Sequence, residues 1–278
     1  MEKDKSKLKT TVFYILLVLG VVISLFPFFW MISSSFKTLA EISEYPPSLF
    51  PNEIMWNNYI DVFDTLPYGR NLFNSFFVAI MYTVVGAFIS ATGGYALSKY
   101  RDAPGRKLFF AVVLSTMMIP KQVLAIPLYI LMGQIGWINS YPALILPFAA
   151  QGFGLFMLKQ YIDGIPDDLI EAARIDGCGE FRIFFQIILP VVKPAVAALG
   201  TIYFMNNYNL FFWPLIVTNK SIMYTVPVAI AQMQGQQFGI PLHHIMAAAT
   251  LSTTPLIIIF LYFQKYIISG ITMGALKG

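Results

Sequence analysis

Long runs without a charged residue alternate with short basic clusters along this chain. Thr10 to Phe36 and Asn71 to Ser98 contain no charge, and Leu108 to Leu158 is interrupted only by Lys121. A helix crossing the hydrocarbon needs about 20 apolar residues. The first two runs therefore suit one span each, and the third is long enough for two. Gly133, Gly136 and Asn139-Ser140-Tyr141-Pro142 supply turn chemistry in its middle, dividing it into spans near 108–132 and 142–158. Pro194 to Asn219 and Ile245 to Gln264 complete the pattern. The prediction is an all-α integral membrane chain of six transmembrane helices with both termini on one side. It divides into an amino-terminal arm (1–9), a first span (10–36), an external segment (37–70), a membrane core (71–265) carrying a loop at 159–193, and a tail (266–278). The first run is longer than the apolar part of a secretory signal. Met31-Ile32-Ser33-Ser34-Ser35 is followed by no small-residue cleavage pattern, so it reads as an uncleaved span. A short surface helix is expected around Trp56–Phe63. Residues 219–244, with Gly235, Gly239 and Pro241, read as a loop rather than a seventh span.

Composition supports the same class. Of 278 residues, 57% are hydrophobic and 12% are charged, against roughly a quarter charged in soluble domains. That excludes a water-soluble globule and a disordered chain. The net charge of +4 matters through its placement. Fourteen Lys and Arg fall on the face holding the termini and three (Lys37, Arg70, Lys220) on the other, which makes the first face cytoplasmic. No basic run interleaves with aromatics, so no nucleic-acid partner is expected. The single cysteine, Cys178, forms no intrachain bridge and reads as a small filler.

The loop at 159–193 is the most informative segment. In Ile165-Pro166-Asp167-Asp168-Leu169-Ile170-Glu171-Ala172-Ala173-Arg174-Ile175-Asp176-Gly177, Pro166 suits a first helical position, and the two aspartates complement the positive end of a helix dipole. Ala172 and Ala173 leave a surface open to close approach, and Gly177 can adopt a left-handed stop. Gly179-Glu180 opens a second amphipathic stretch that runs to Leu189-Pro190. The chain holds no Gly-x-x-x-x-Gly-Lys-Ser/Thr phosphate loop, no metal-spaced His/Cys set and no nucleophile–base pair. It reads as a non-catalytic subunit with no metal site. Energy would enter through contact with another subunit, and a protruding helix with a lone Glu suits that docking.

These residues carry a resemblance. Glu171-Ala172-Ala173, then Gly177, Ile187 and Leu189-Pro190, match without a gap the EAA loop of binding-protein-dependent ABC importer permeases. The likeness extends to the carbohydrate, MalG-like branch. It is carried by Met118-Ile119-Pro120-Lys121-Gln122-Val123 with Ile126-Pro127-Leu128-Tyr129, by Ala143-Leu144-Ile145-Leu146-Pro147, and by Phe211-Phe212-Trp213-Pro214-Leu215-Ile216-Val217. Tyr208-Asn209-Leu210 stands where that branch often reads Trp-Asn-Asp. The resemblance implies a MetI-like fold and a permease forming half of a sugar pathway. Its partners would be a homologous second permease, two ATPase subunits holding ATP and Mg, and an extracytoplasmic solute-binding protein, with no cofactor on this chain. Glu171, Ala172, Ala173, Gly177, Ile187, Leu189 and Pro190 would then form the ATPase-coupling helix and its turn, and the tail with Gly274 and Lys277 would reach between the ATPases.

Other positions carry two readings each. Gly86, Ser90, Gly94 and Ser98 recur every four residues, a spacing that lets helices approach closely in lipid, so they are expected to form a packing seam. Asn74, Gln151, Asn206, Asn207, Tyr208, Asn209 and Trp213 suit either a sugar pathway or interhelical hydrogen bonds. Lys121, costing about 2.5–3.5 kcal/mol at a helix centre, either lines an aqueous cavity or reaches the outer interface. His243 and His244 have no acidic neighbour in sequence and suggest no metal. Within the importer class a polyamine or glycerol phosphate substrate is the alternative to a sugar. An ATP-independent secondary carrier would need charged coupling residues in the spans, which are missing.

Overall fold

The computed structural model describes residues 2–235 and 240–275, with side chains placed over 9–64, 66–235 and 240–264. Among the described residues every regular element is helical. In chain order they are α1 (Glu2–Ser35), α2 (Leu39–Ile42), α3 (Asn57–Thr65), α4 (Tyr68–Lys99), α5 (Arg106–Thr116), α6 (Ala125–Gln134) and α7 (Tyr141–Ile145). A 3₁₀ turn (Leu146–Phe148) leads to α8 (Gly152–Asp163) and α9 (Asp167–Ile175). Then come α10 (Glu180–Ile183), a π turn (Phe184–Ile188), α11 (Leu189–Val191), α12 (Lys193–Tyr208), α13 (Phe212–Val217), a 3₁₀ turn (Ser221–Met223), α14 (Val226–Gln234) and α15 (Leu242–Ala275).

Two compact units are present: Met1–Tyr68 with Ile230–Thr254, and Gly69–Ala229 with Pro255–Gly278. In the first, α1 exposes apolar side chains all around, from Val12 to Leu25, as a lipid-facing helix does. Asn58 Nδ2 donates to the carbonyls of Ser35 and Lys37, both at 2.9 Å, and fixes the exit from α1. Glu41 Oε1 accepts from the Asn52 amide at 2.7 Å. The stretch between α1 and α3 is thus tied down by its own hydrogen bonds. His244 Nε2 lies 3.2 Å from Asp61 Oδ2, so His244 does have an acidic neighbour, 183 positions away in sequence and invisible there.

The second unit holds the larger core, built on Leu144, Leu158, Ile162, Ile183, Ile188, Leu199 and Tyr203. Among the described residues, three helical stretches are long and apolar enough to cross a membrane: Lys9–Ser35, Tyr68–Lys99 and Leu242–Gln264. Two bent pairs qualify as broken spans, Tyr141–Phe148 with Gly152–Asp163 at 52° and Glu180–Val191 with Lys193–Tyr208 at 77°.

Three sequence expectations are corrected. The span near 108–132 is not one helix, because Met117–Leu124 separates α5 from α6. Pro120 lacks an N–H donor and disfavours helical backbone before it, and the break is carried by three-residue turns such as Leu124 N to Lys121 O at 3.2 Å. The span Pro194–Asn219 ends at Tyr208 and resumes only as the six-residue α13. Residues 219–244 are not wholly loop: α14 occupies nine of them, opening on Val226-Pro227, where proline's fixed φ suits a first turn.

Irregular backbone in this unit is tied down by side chains. Asn71 Nδ2 donates to the carbonyls of Ser221 and Tyr224 at 2.7 and 3.0 Å. Asn74 Nδ2 donates to Ile222 O and Tyr224 O at 2.8 and 3.0 Å, and Ser75 Oγ accepts from the Val226 amide at 2.7 Å. One face of α4 thus supplies partners for these peptide groups.

Candidate coupling helix and its supports

The helix α9 starts at Asp167, one residue after Pro166, with Asp167 and Asp168 in its first turn. It stops where Gly177 takes φ +79°. The Gly177 amide donates to Arg174 O at 3.0 Å and the Cys178 amide to Ala173 O at 2.9 Å. This paired arrangement closes the last turn and relies on glycine's access to left-handed backbone. Glu171 and Ala172 are exposed, as are Leu169 and Ile175, the latter 86% exposed. Ala173 is not part of that open surface: it is buried with Ile170 in the chain's own core. The expectation that both alanines face outward is corrected to Ala172 alone. Ile187 and Leu189 are half-buried on the returning helix and Pro190 is exposed.

Two polar clusters fasten α9 to the end of α4, and neither is visible in the sequence pattern. In the first, Lys99 Nζ donates to Ile165 O and Asp167 Oδ1, both at 2.6 Å, while Arg101 lies 3.3 Å from Asp167 Oδ2. Ser98 Oγ donates to Asp163 Oδ1 at 2.7 Å, and Lys159 Nζ meets Asp163 Oδ2 at 2.5 Å. The hydrogen bond from Lys99 holds the Asp167 carboxyl below the usual carboxylate range. In the second cluster, Glu180 accepts from Tyr95 Oη at 2.6 Å and from Arg174 Nε at 2.9 Å. The bond to Glu180 pushes the Arg174 guanidinium above its ordinary value. Only the spacing Lys159-x-x-x-Asp163 signals any of this locally.

The row Gly86, Ser90, Gly94, Ser98 meets α8, Ala149 and α12. A Cβ on Gly86 would lie 2.8 Å from Ala149 O, and one on Gly94 would lie 2.9 Å from the Lys159 backbone nitrogen. Ser90 Oγ is 3.3 Å from Tyr203 Oη, and both serines are fully buried. The end of α4 is therefore packed directly against the start of the 159–193 loop.

The amide and aromatic candidates for a solute pathway do not gather at one surface. Asn74 is buried, with Oδ1 accepting from Tyr141 Oη at 2.7 Å in addition to its two donated bonds. Trp213 is 2% exposed and its Nε1 donates to Ala143 O at 2.8 Å. Tyr208 is buried and stacks on Phe204 at 5.9 Å. These three brace the fold, a correction to their candidacy, because their polar or aromatic faces are already engaged inside the chain. Asn207 is buried too, whereas Asn206 and Asn209 are exposed. Gln151 is half-buried, donates to Tyr82 Oη, and lines a cavity with Lys121. Gly274 lies in the last turn of α15, where only the backbone is described, and Lys277 lies outside the described residues.

Comparison with known proteins fits this arrangement. Residues 83–273 match the family described as binding-protein-dependent transport system inner membrane component. The arabinooligosaccharides transport system permease protein AraQ of Bacillus subtilis (strain 168) is 36% identical over 275 residues, covering 98% of this chain and 96% of the relative. The trehalose/maltose transport system permease protein MalG of Thermococcus litoralis is 38% identical over 272 residues, with 95% and 97% covered. The sn-glycerol-3-phosphate transport system permease protein UgpE of Yersinia enterocolitica is 31% identical over 266 residues, with 93% and 94% covered. In fold, the chain is similar to one from a bacterial ABC transporter involved in the import of the acidic polysaccharide alginate. The TM-score is 0.83 at 22% identity, over 94% of this chain and 97% of that one. An all-helical, membrane-embedded chain with a capped, exposed α9 between two buttressed helices is thus a member of the binding-protein-dependent transport system inner membrane component family, with the MetI-like permease fold.

Proposed function

We propose that this chain is one permease half of a bacterial ATP-driven carbohydrate importer, and that α9 is the part by which ATPase subunits move it. The observation that carries the reading is the build of α9: Glu171 and Ala172 exposed, Gly177 at φ +79° closing the helix, and both flanks bonded to α4. A helix held this way transmits displacement instead of absorbing it. The carbohydrate assignment draws on the relatives named for arabinooligosaccharides and for trehalose/maltose. The relative named for glycerol 3-phosphate supports a second reading, import of another small solute.

In this reading six spans cross the bacterial cytoplasmic membrane with both termini cytoplasmic, and α5 with α6 form a broken span. A homologous second permease completes the pathway, and an extracytoplasmic binding protein delivers the sugar. ATP and Mg sit on two partner ATPase subunits. Their closure moves Glu171 and its helix, and the rigid α8–α9–α4 piece carries that motion into the bundle, giving alternating access. Hydrolysis resets it, and the permease itself makes no covalent bond. Glu171→Lys tests the assignment. Membrane insertion should be unchanged while co-purification of the ATPases and binding-protein-stimulated ATP hydrolysis fall sharply. Wild-type coupling in that variant would show that α9 is not the contact.

A further inference from the structure

The break between α5 and α6 and the bend between α7 and α8 open on one cavity of about 360 Å³. Thr116, Met117, Lys121, Leu128, Phe148 and Gln151 are among its walls, and the lining contains no Asp or Glu. Two broken helices side by side form the kind of place where transport proteins bind solute, because chain interruptions at membrane depth are tolerated where they line a cavity. The approach is close: a Cβ on Gly152 would lie 2.7 Å from Val113 O and 2.9 Å from Met117 Cγ.

Lys121 sits in that break. It is exposed, makes no ion pair among the described residues, and places its ammonium 5.6 Å from the centre of the Phe148 ring. Phe148 and Gln151 are themselves fixed. Gln151 Nε2 donates to Tyr82 Oη, which donates to Phe148 O at 2.8 Å. The wall thus offers a cation and an aromatic ring on a pre-set frame. A charge kept inside an apolar segment and outside any ion pair is a functional-site candidate. An aromatic ring beside a cation suits a sugar ring with its apolar face on the aromatic and an acidic substituent on the ammonium. The volume lies within the range of small-molecule sites.

Resting on the importer reading above, we infer that this cavity is a translocation subsite for a pyranose-sized solute bearing an acidic group, with Lys121 as its specificity-determining residue. Carboxylate, phosphate and sulfonate share the required chemistry.

The test uses the whole transporter, with its partner subunits, and radiolabelled digalacturonate and galactobiose as the acidic and neutral probes. Lys121→Gln should lower uptake of the acid about tenfold or more, the loss expected when a charge-assisted contact is removed. Lys121→Arg should recover it to within about threefold, and the loss of neutral uptake in Lys121→Gln should be at least about threefold smaller than the loss of acid uptake. As a measurement independent of turnover, Thr116→Cys in a Cys178→Ser background should react with a water-soluble maleimide several-fold more slowly in the presence of digalacturonate, and no more slowly with galactobiose. Equal loss of both sugars, no loss of the acid, a wild type that carries only the neutral probe, or absent protection would each overturn the subsite while leaving the importer reading intact. A wild-type complex that accumulates neither probe would overturn the subsite, and the importer reading would fall with it only if no binding-protein-delivered solute stimulated ATP hydrolysis by that complex.

Discussion

Gly94→Ala isolates the contact that joins α4 to the helix feeding α9. The added Cβ would lie 2.9 Å from the Lys159 backbone nitrogen, 3.2 Å from the Leu158 carbonyl carbon and 3.3 Å from Leu158 Cβ. Two of those three atoms are backbone, so no rotamer change relieves the overlap; α4 and α8 must separate by several tenths of an ångström. Overpacking of this kind costs about 1–3 kcal/mol. It is opposed by about 1 kcal/mol of helix propensity gained on replacing an interior glycine. Gly200→Ala supplies the reference, since it gains the same propensity in α12 and its Cβ meets only Thr83 Cγ2 at an ordinary 3.5 Å. The difference between the two variants is therefore the packing term alone. Read as the thermal midpoint of the lipid-reconstituted complex, Gly94→Ala should fall below Gly200→Ala by roughly 2–10 °C. A Gly94→Ala midpoint equal to or above that of Gly200→Ala would refute direct backbone packing along this seam.

Three further outcomes follow from the supports. Glu180→Ala removes both the Tyr95 and the Arg174 contacts, and it should reduce sugar-stimulated ATP hydrolysis several-fold while ATPase co-purification persists; loss of binding instead would mean that Glu180 belongs to the docking surface. Asn74→Ala leaves the Ile222 carbonyl without its side-chain donor and should destabilise the chain by about 2–3 kcal/mol, with the ratio of uptake rates among sugars unchanged; an altered ratio would restore Asn74 to the pathway. Because the Asp167 carboxyl is held low in the fold, its contribution is present above the ordinary carboxylate value near 4 and disappears as pH falls through the folded value. Asp167→Asn should accordingly lower the thermal midpoint at pH 7, with the gap to wild type narrowing as pH falls below the ordinary carboxylate value, and a gap independent of pH would remove the Lys99–Asp167 pair from the account.

The capped helix α9 was legible because each of its signals is local. The acidic first turn and the glycine stop all fall within eleven residues of each other, and a local rule assigns a conformation to each. The interruption at Met117–Leu124 is legible in part: Pro120 and Lys121 stand inside the apolar run, but the charge-free length on either side of them is equally that of one continuous span. The supports of α9 were not legible, since Tyr95 and Glu180 are 85 positions apart and Lys99 and Asp167 are 68 apart. Each of these residues has an adequate local explanation as a span end or a topogenic charge, and nothing in the pattern pairs them.

The amides show the same limit from the other side. Composition marks Asn74 and Trp213 as polar or amphipathic groups in an apolar segment, which is equally the description of a sugar contact and of a brace. What decides between them is the backbone they face. The chain between α13 and α14 leaves α-helical geometry at Thr218–Thr225, with a single 3₁₀ turn at Ser221–Met223, and its carbonyls then need donors wherever water is excluded. Asn71 and Asn74, one helical turn apart on α4, supply them. Trp213 serves Ala143 in α7, a helix of only five residues whose carbonyls have few partners of their own. Polar residues are thus recruited first to the unsatisfied backbone that broken helices create. A residue left over once those demands are met, exposed at a break and without an ion-pair partner, is the better candidate for solute, and Lys121 rather than the buried amides meets that description.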